Sequence, residues 1–190
     1  MPRPATDLEH VSAVISEYAP AKLPVSTWRQ AAVLVPLRRM GESKQLEVIF
    51  TRRAETLTTH SGQVSFPGGG VDPIDGSPEV AALREAHEEL ALPPDAVQVI
   101  GTLDHVLSHT GFHITPVVGI VDARASLVPN ADEVARVFAV PLAELVDRPR
   151  WKIQMHERAG KSYELPHFHA DGEDIWGLTA FMLLRLVELL

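Results

Sequence analysis

The order of elements in this 190-residue chain predicts an α/β fold. Three observations carry that expectation. Apolar, β-branched runs at residues 31–37, 46–51 and 112–121 have the composition of buried strands. Between the second and third of these stands a segment with clear helix start and stop signals, Ser77 to Leu92. A strongly apolar run, residues 175–190, closes the chain as a further helix. Strands and helices mixed in this order fit an α/β/α sandwich, a curved mixed sheet with helices on both faces.

Taken in order, residues 1–28 read as an N-terminal extension with a helix from Asp7 to about Tyr18 and a Pro-containing link. Residues 31–37 form a buried strand, residues 41–44 a hairpin turn, and residues 46–51 the partner strand. A loop, residues 53–65, leads to Gly68-Gly69-Gly70. Ser77 then serves as N-cap, Pro78 suits the first helical position, and Glu79 complements the positive end of the helix dipole. Ala81, Ala82, Leu83, Ala86 and Leu90 supply the apolar side of this helix, and Pro93-Pro94 stop it. Residues 97–105 and 112–121 are further strands, and a helix is expected to begin within 132–137 or at 142–146. A turn at Ala159-Gly160-Lys161 makes residues 151–165 a hairpin. From Leu178 the last helix carries only Arg185 and Glu188 as charges. With no basic polar face it is expected as a core helix or a homodimer face, anchored by Trp176 and Phe181, and not as a lipid contact. The whole chain, residues 1–190, reads as one domain.

The chemistry concentrates in Arg84-Glu85-Ala86-His87-Glu88-Glu89. Glu85, Glu88 and Glu89 fall at i, i+3 and i+4 and share one helix face, expected to be the exposed one. Crowded carboxylates repel unless a cation sits among them, and oxygen ligands suit Mg²⁺ or Mn²⁺. The alternative is an ordinary solvated acidic face. Phe66-Pro67-Gly68-Gly69-Gly70 just upstream turns the balance, because glycines let backbone approach a metal or phosphate closely.

Gly69 to Leu92 resembles the Nudix box, G-x5-E-x7-R-E-U-x-E-E-x-G-U, with U a bulky aliphatic residue. Arg84, Glu85, Glu88, Glu89 and Leu92 match directly. Asp75 stands at the first Glu, eight residues instead of seven separate it from Arg84, Ala91 replaces the glycine, and Ala86 is small for its place. A second segment resembles the signature of coenzyme A pyrophosphatases within that superfamily, L-L-T-x-R-[SA]-x3-R-x3-G-x3-F-P-G-G. Thr51, Arg53, Ala54, Gly62 and Phe66 to Gly69 match it, whereas Thr58 occupies the place of the second arginine. Ser108-His109-Thr110-Gly111-Phe112, Glu133-Val134 and Ile175-Trp176-Gly177 look like the same subfamily. The resemblance implies a metal-dependent hydrolase with Glu85, Glu88, Glu89 and the Gly69 carbonyl as metal ligands. It implies Glu85 and Glu88 as catalytic groups and Arg53, Gly62 and Gly68 as substrate contacts. The implied reaction cuts coenzyme A into 3′,5′-ADP and 4′-phosphopantetheine. Alternatives are hydrolysis of ADP-ribose, nucleotide sugars or nucleoside triphosphates, and a non-catalytic nucleotide sensor, which an intact acidic triad disfavours.

Composition agrees with a compact enzyme of the cytoplasm. The chain is 45% hydrophobic and 22% charged, enough to bury a large core. It has no apolar run of membrane-spanning length and no secretory signal pattern. The absence of cysteine excludes disulfides and thiolate chemistry. A net charge of −8 argues against a nucleic-acid partner and for a small anionic substrate met by local cations.

The general base is left among Glu88, Glu85 and Glu133. Arg84 is read as a bridge that orients a glutamate, with a phosphate contact as the alternative. Arg53 ends a strand beside the glycine-bearing loop and is a substrate candidate or a solvated arginine; Arg52 is read as surface. His105, His109 and His113 are spaced by four, but Gly111 and the β-branched residues around them favour strand and turn over a zinc face. His167 and His169 would point the same way on a strand, His87 lies off the acidic face, and His60 sits before Gly62 near the substrate side.

Overall fold

Eight strands form one mixed sheet that holds the functional residues. The computed structural model describes residues 6–23, 27–41, 43, 45–158 and 160–190. In chain order the elements are α1 (Leu8–Glu17), β1 (Arg29–Arg39), β2 (Leu46–Arg53), β3 (Val64–Ser65), β4 (Gly68–Gly70), α2 (Pro78–Leu90), β5 (Val97–Thr102) and β6 (Val106–Leu107). They continue with β7 (Phe112–Val121), β8 (Val134–Pro141), α3 (Leu142–Leu145), β9 (Lys152–Arg158), β10 (Lys161–Ala170), β11 (Glu173–Trp176) and α4 (Gly177–Leu189).

The central path of the large sheet is β3-β2-β1-β7-β5, with β4 on β1, β6 on β7 and β8 on β2. β1 and β7 run parallel over ten residue pairs, from Arg29↔Phe112 to Arg38↔Val121; every other pairing in this sheet is antiparallel. The opposite edge of β1 is divided. Its far end pairs with β2 at Leu37↔Val48, and its near end pairs with β4 at Ala32↔Gly69. This division seats the glycines directly in the sheet. A second sheet, β11-β10-β9, lies beside it.

Side-chain alternation along the strands makes two cores. On one face Ala32 and Leu34 of β1, Ile49 of β2 and Val117 of β7 pack against Ala81, Ala82, Ala86 and Leu90 of α2. On the other, Val35, Leu37, Phe50 and Val118 meet Val11 and Ile15 of α1, Phe168 and Ile175 of the small sheet, and Leu183 and Leu186 of α4. Phe50 stacks between Phe66 and Phe138, with ring centroids at 5.2 and 5.4 Å. The architecture is the expected sheet between helical layers. The small size of Ala86 is explained by its complete burial against the sheet, where a larger residue would lift α2.

Several element expectations change. Residues 132–137 do not start a helix: Val134 begins β8, and only the second alternative, at Leu142, gives one, the short α3. Val134-Ala135-Arg136-Val137-Phe138 is β-branched and alternating, and its ladder with β2 decides the matter. Residues 64–65, expected as loop, pair with Thr51 and Arg52. Ile175 and Trp176 belong to β11, so α4 begins at Gly177. Residues 103–105 leave the ladder after β5. The β9–β10 hairpin is present; Ala159 of its turn, and Glu42 and Lys44 of the β1–β2 turn, lie outside the described residues. α4 is a core helix on which Phe181 is left exposed, while Trp176 stacks on His156 and His167. No helix among the described residues is long and apolar enough to cross a membrane.

Candidate active site

The site is built where α2 crosses β4 and the end of β2. Ser77 caps α2 by accepting the Val80 amide at 3.3 Å, and Pro78 follows as the first helical residue, both as expected. Packing of Ala82 and Ala86 onto the sheet turns the Glu85 and Glu89 side inward. The acids therefore do not share an exposed face. Glu89 is only 3% exposed, Glu85 is partly buried, and Glu88 alone faces solvent. An apolar side made of alanines is too short to hold the flanking glutamates away from the sheet.

Gly68 and Gly69 explain how such acids fit. A Cβ on Gly69 would lie 2.5 Å from the Glu85 carboxylate carbon, so that carboxylate rests on bare backbone. A Cβ on Gly68 would meet the Ala32 carbonyl oxygen at 2.4 Å, and the Gly68 amide donates to Glu89. Gly62, the other expected glycine contact, takes φ +66 in the loop before β3.

Arg84 organises the acids from the side. Its Nε and Nη2 donate to both oxygens of Asp75 at 2.9 and 3.1 Å, a two-pronged bridge to a buried carboxylate. Its Nη1 reaches Glu85 at 3.0 Å and both oxygens of Glu88 at 3.2 Å, and Nη2 also donates to the Gly70 carbonyl at 3.0 Å. The orienting-bridge reading of Arg84 matches this geometry. Asp75, which the sequence marks only as a departure from the box, is the anchor of the bridge. Asp75 is also held locally: its Oδ2 accepts the Asp72 amide at 2.8 Å. Arg84 holds the Asp75 carboxyl below its ordinary value.

Electrostatics separate the two inner glutamates from the rest. Burial pushes Glu89 up to about 7, against the opposing pull of Arg53 and the Gly68 amide; Glu133 and Glu85 add to the rise. Burial also raises Glu85, with Arg84 opposing and Glu88 and Glu133 adding. Two desolvated carboxylates with elevated affinity for protons are groups a divalent cation would satisfy. Among the described residues no three acidic or histidine side chains form a ready-made cage. Two carboxylates, a backbone carbonyl and water nevertheless suit Mg²⁺, which retains several waters when bound.

Arg53 ends β2 just past a register shift that separates it from Arg52 in the ladder with β8. Its charge acts on Glu89, and its Nε is buried without a hydrogen bond. Arg52 lies near Glu55 and Glu173, each at 3.8 Å. Glu133 does reach the site from the loop before β8: its backbone carbonyl accepts the Ala54 amide at 2.8 Å, and its Oε1 accepts Asn130 Nδ2 at 3.2 Å. Asn130, whose amide donates to the Glu89 carbonyl at 2.8 Å, has no motif signal in the sequence. His105, His109 and His113 lie on no helix: His113 is on β7, His109 in the turn before it, and His105 in the segment before β6. His105 and His113 touch at 2.7 Å, and burial and then His113 push His105 down. His167 shares contacts with His156 at 2.8 Å and Asp174 at 2.9 Å on the small sheet.

The NUDIX domain model matches residues 28–164. Proteins described as "Uncharacterized Nudix hydrolase NudL" from Cronobacter sakazakii and Enterobacter sp. are 46% and 43% identical over 158 residues, 83% of this chain and 81% of each relative. The crystal structure of the Nudix hydrolase RenU from M. smegmatis is 28% identical, with a TM-score of 0.52 over 63% of this chain and 74% of that one. The NUDIX hydrolase from Alicyclobacillus acidocaldarius is 18% identical, with a TM-score of 0.55 over 87% and 93% of the two chains, and shares the fold. With buried acids on α2, glycines against them and relatives alike over most of its length, the chain belongs to the NUDIX family and is a Nudix hydrolase.

Proposed function

We propose that this enzyme hydrolyses the diphosphate linkage of coenzyme A or a derivative, giving 3′,5′-ADP and 4′-phosphopantetheine, with Mg²⁺ or Mn²⁺ as cofactor. The observation that carries the reaction class is buried Glu89 and partly buried Glu85 set against Gly68 and Gly69, with the charges of Arg53 and Glu133 acting on them. The substrate assignment rests on the run from Thr51 to Gly69.

Glu85, Glu89 and the Gly69 carbonyl would hold the metal. The bound ion would offset charge on the diphosphate oxygens and make water more acidic. Glu88, tied to Arg84 through both oxygens, serves as a further ligand only after leaving that bridge; in this geometry it positions Arg84. Arg53 places a positive charge at the diphosphate under attack, and the Gly68 and Gly69 backbone allows it to approach. Glu133 accepts the proton of the attacking water, since its charge reaches both inner acids while Asn130 restrains one oxygen.

The test is kcat/KM with Mg²⁺ for coenzyme A, 3′-dephospho-coenzyme A, ADP-ribose and a nucleoside triphosphate, with products identified by mass. Coenzyme A should lead. A clear lead for ADP-ribose would move the enzyme to the alternative substrate class, which Thr58 keeps open. Glu85→Gln and Glu89→Gln should each lower turnover by at least about a hundredfold at limiting Mg²⁺. Wild-type rates in both would remove α2 from the metal site.

A further inference from the structure

A base works only where its carboxylate is fixed relative to the water it deprotonates. The acidic metal ligands stand on α2, whereas Glu133 comes from the loop before β8, far along the chain. The two must be held at one separation, and a single residue bonds to both.

Asn130 uses each of its polar groups in this way. Its backbone amide donates to the Glu89 carbonyl at 2.8 Å, so the loop hangs from α2 at the residue whose side chain is the buried acid. The Val128 amide repeats the attachment on the Leu90 carbonyl at 2.8 Å. Both carbonyls belong to the final turn of α2, where the helix itself offers them no donor. The Asn130 carbonyl accepts the amides of Glu133 at 3.0 Å and of Val134, the first residue of β8, at 2.8 Å. Its Oδ1 accepts the Asp132 amide at 3.2 Å, and this bond decides which way the side chain faces. Nδ2 is left to donate to Glu133 Oε1, also at 3.2 Å. On the other side, the Ala54 amide donates to the Glu133 carbonyl at 2.8 Å and ties the loop to the residue after Arg53. Glu89 and Glu133 are thereby joined through one residue, and the charge of Glu133 is felt at both Glu85 and Glu89.

We propose that Asn130 is a positioning residue that sets the separation between the metal ligands of α2 and the base Glu133, through its side-chain donor to Glu133 and its backbone bond to Glu89. This rests on the reading of Glu133 as the base. The side-chain bond engages Oε1, which assigns proton acceptance to Oε2. Asn130 touches neither substrate nor metal and acts only by holding Glu133 in place.

The test measures kcat and KM with Mg²⁺ on whichever of the four compounds named above turns over fastest. The variants are Glu133→Gln, Asn130→Ser, Asn130→Asp and the double variant Asn130→Ser with Glu133→Gln. Melting curves fix a temperature at which each is folded. Serine and aspartate both keep an oxygen for the Asp132 amide, so the turn is retained. Serine is one atom too short to serve Glu133 as the amide does, and aspartate sets a like charge against it. Glu133→Gln should lower kcat by at least about a hundredfold. Each Asn130 variant should lower kcat on the order of tenfold or more, with KM within about twofold of wild type. In the double variant kcat should stay within about twofold of Glu133→Gln alone, because no base is left to position. Losses that multiply in the double variant, or wild-type kcat in the Asn130 variants, would overturn the positioning role alone. Wild-type kcat in Glu133→Gln would overturn the base, and the positioning role with it.

Discussion

At the level of single residues, the elevated proton affinity of Glu89 has a consequence for stability. Its folded-state value of about 7 lies above the unfolded glutamate value of about 4.3. Stability associated with Glu89 is therefore fully present below the unfolded value and is lost as pH rises through about 7. In metal-free protein, Glu89→Gln should melt higher than wild type at about pH 8, by on the order of 2 kcal/mol, and the gain should shrink toward about pH 5. Melting curves in EDTA at both values check this. Ala91 supplies a second case. It ends α2 with φ +51 and is exposed, so a side chain sits in a backbone region that suits glycine. Ala91→Gly should stabilise the fold by about 1 kcal/mol, measured by denaturant unfolding, with kcat unchanged. These two residues show what was legible. The acids, their spacing and the missing glycine stand in the motif. The burial of Glu89 does not, because it depends on how closely an alanine-faced helix lies on a glycine strand.

Between elements, Asp104, in the segment after β5, joins parts of the chain far apart in sequence. It accepts from Tyr18 Oη at 2.6 Å, from the Ala21 amide at 2.7 Å and from Arg185 Nη2 at 2.6 Å, joining the segment after α1 to α4. Burial alone would raise this carboxyl; the three donors outweigh it and hold it at about 2. Its folded value lies below the unfolded one, so its contribution is present above about pH 4 and fades as pH falls toward 2. Asp104→Asn should cost roughly 1–2 kcal/mol at neutral pH, and the difference from wild type should vanish at the acid end of the titration. Element type was legible where one period dominates, as in β1, β2, β7, α2 and α4. It failed at β8, whose identity comes from pairing with β2 far away in sequence, and at β3 and β11, strands of two and four residues too short to show a period. The role of Asp104 was equally hidden, since its three donors come from residues 18, 21 and 185.

For the molecule as a whole, a metal bound only by the folded state would couple its affinity to folding. Mn²⁺ at about 100 times its Kd should raise unfolding free energy by about 2.7 kcal/mol, and Glu85→Gln should abolish the gain in a thermal-shift titration. The parallel ladder of β1 on β7 bears on the timing of this. Its partners, beginning with Arg29 and Phe112, are 83 positions apart, and the glycines and the acids of α2 lie in the chain between them. Contacts this remote in sequence close slowly. On the ribosome, the entire acidic motif is synthesised before the strand that will lock β1 in place. A nascent chain thus carries exposed glutamates and unpaired sheet edges until β7 emerges. A chain stalled between Glu89 and Val121 carries Glu85, Glu88 and Glu89 of α2 yet has no completed ladder on which to assemble them.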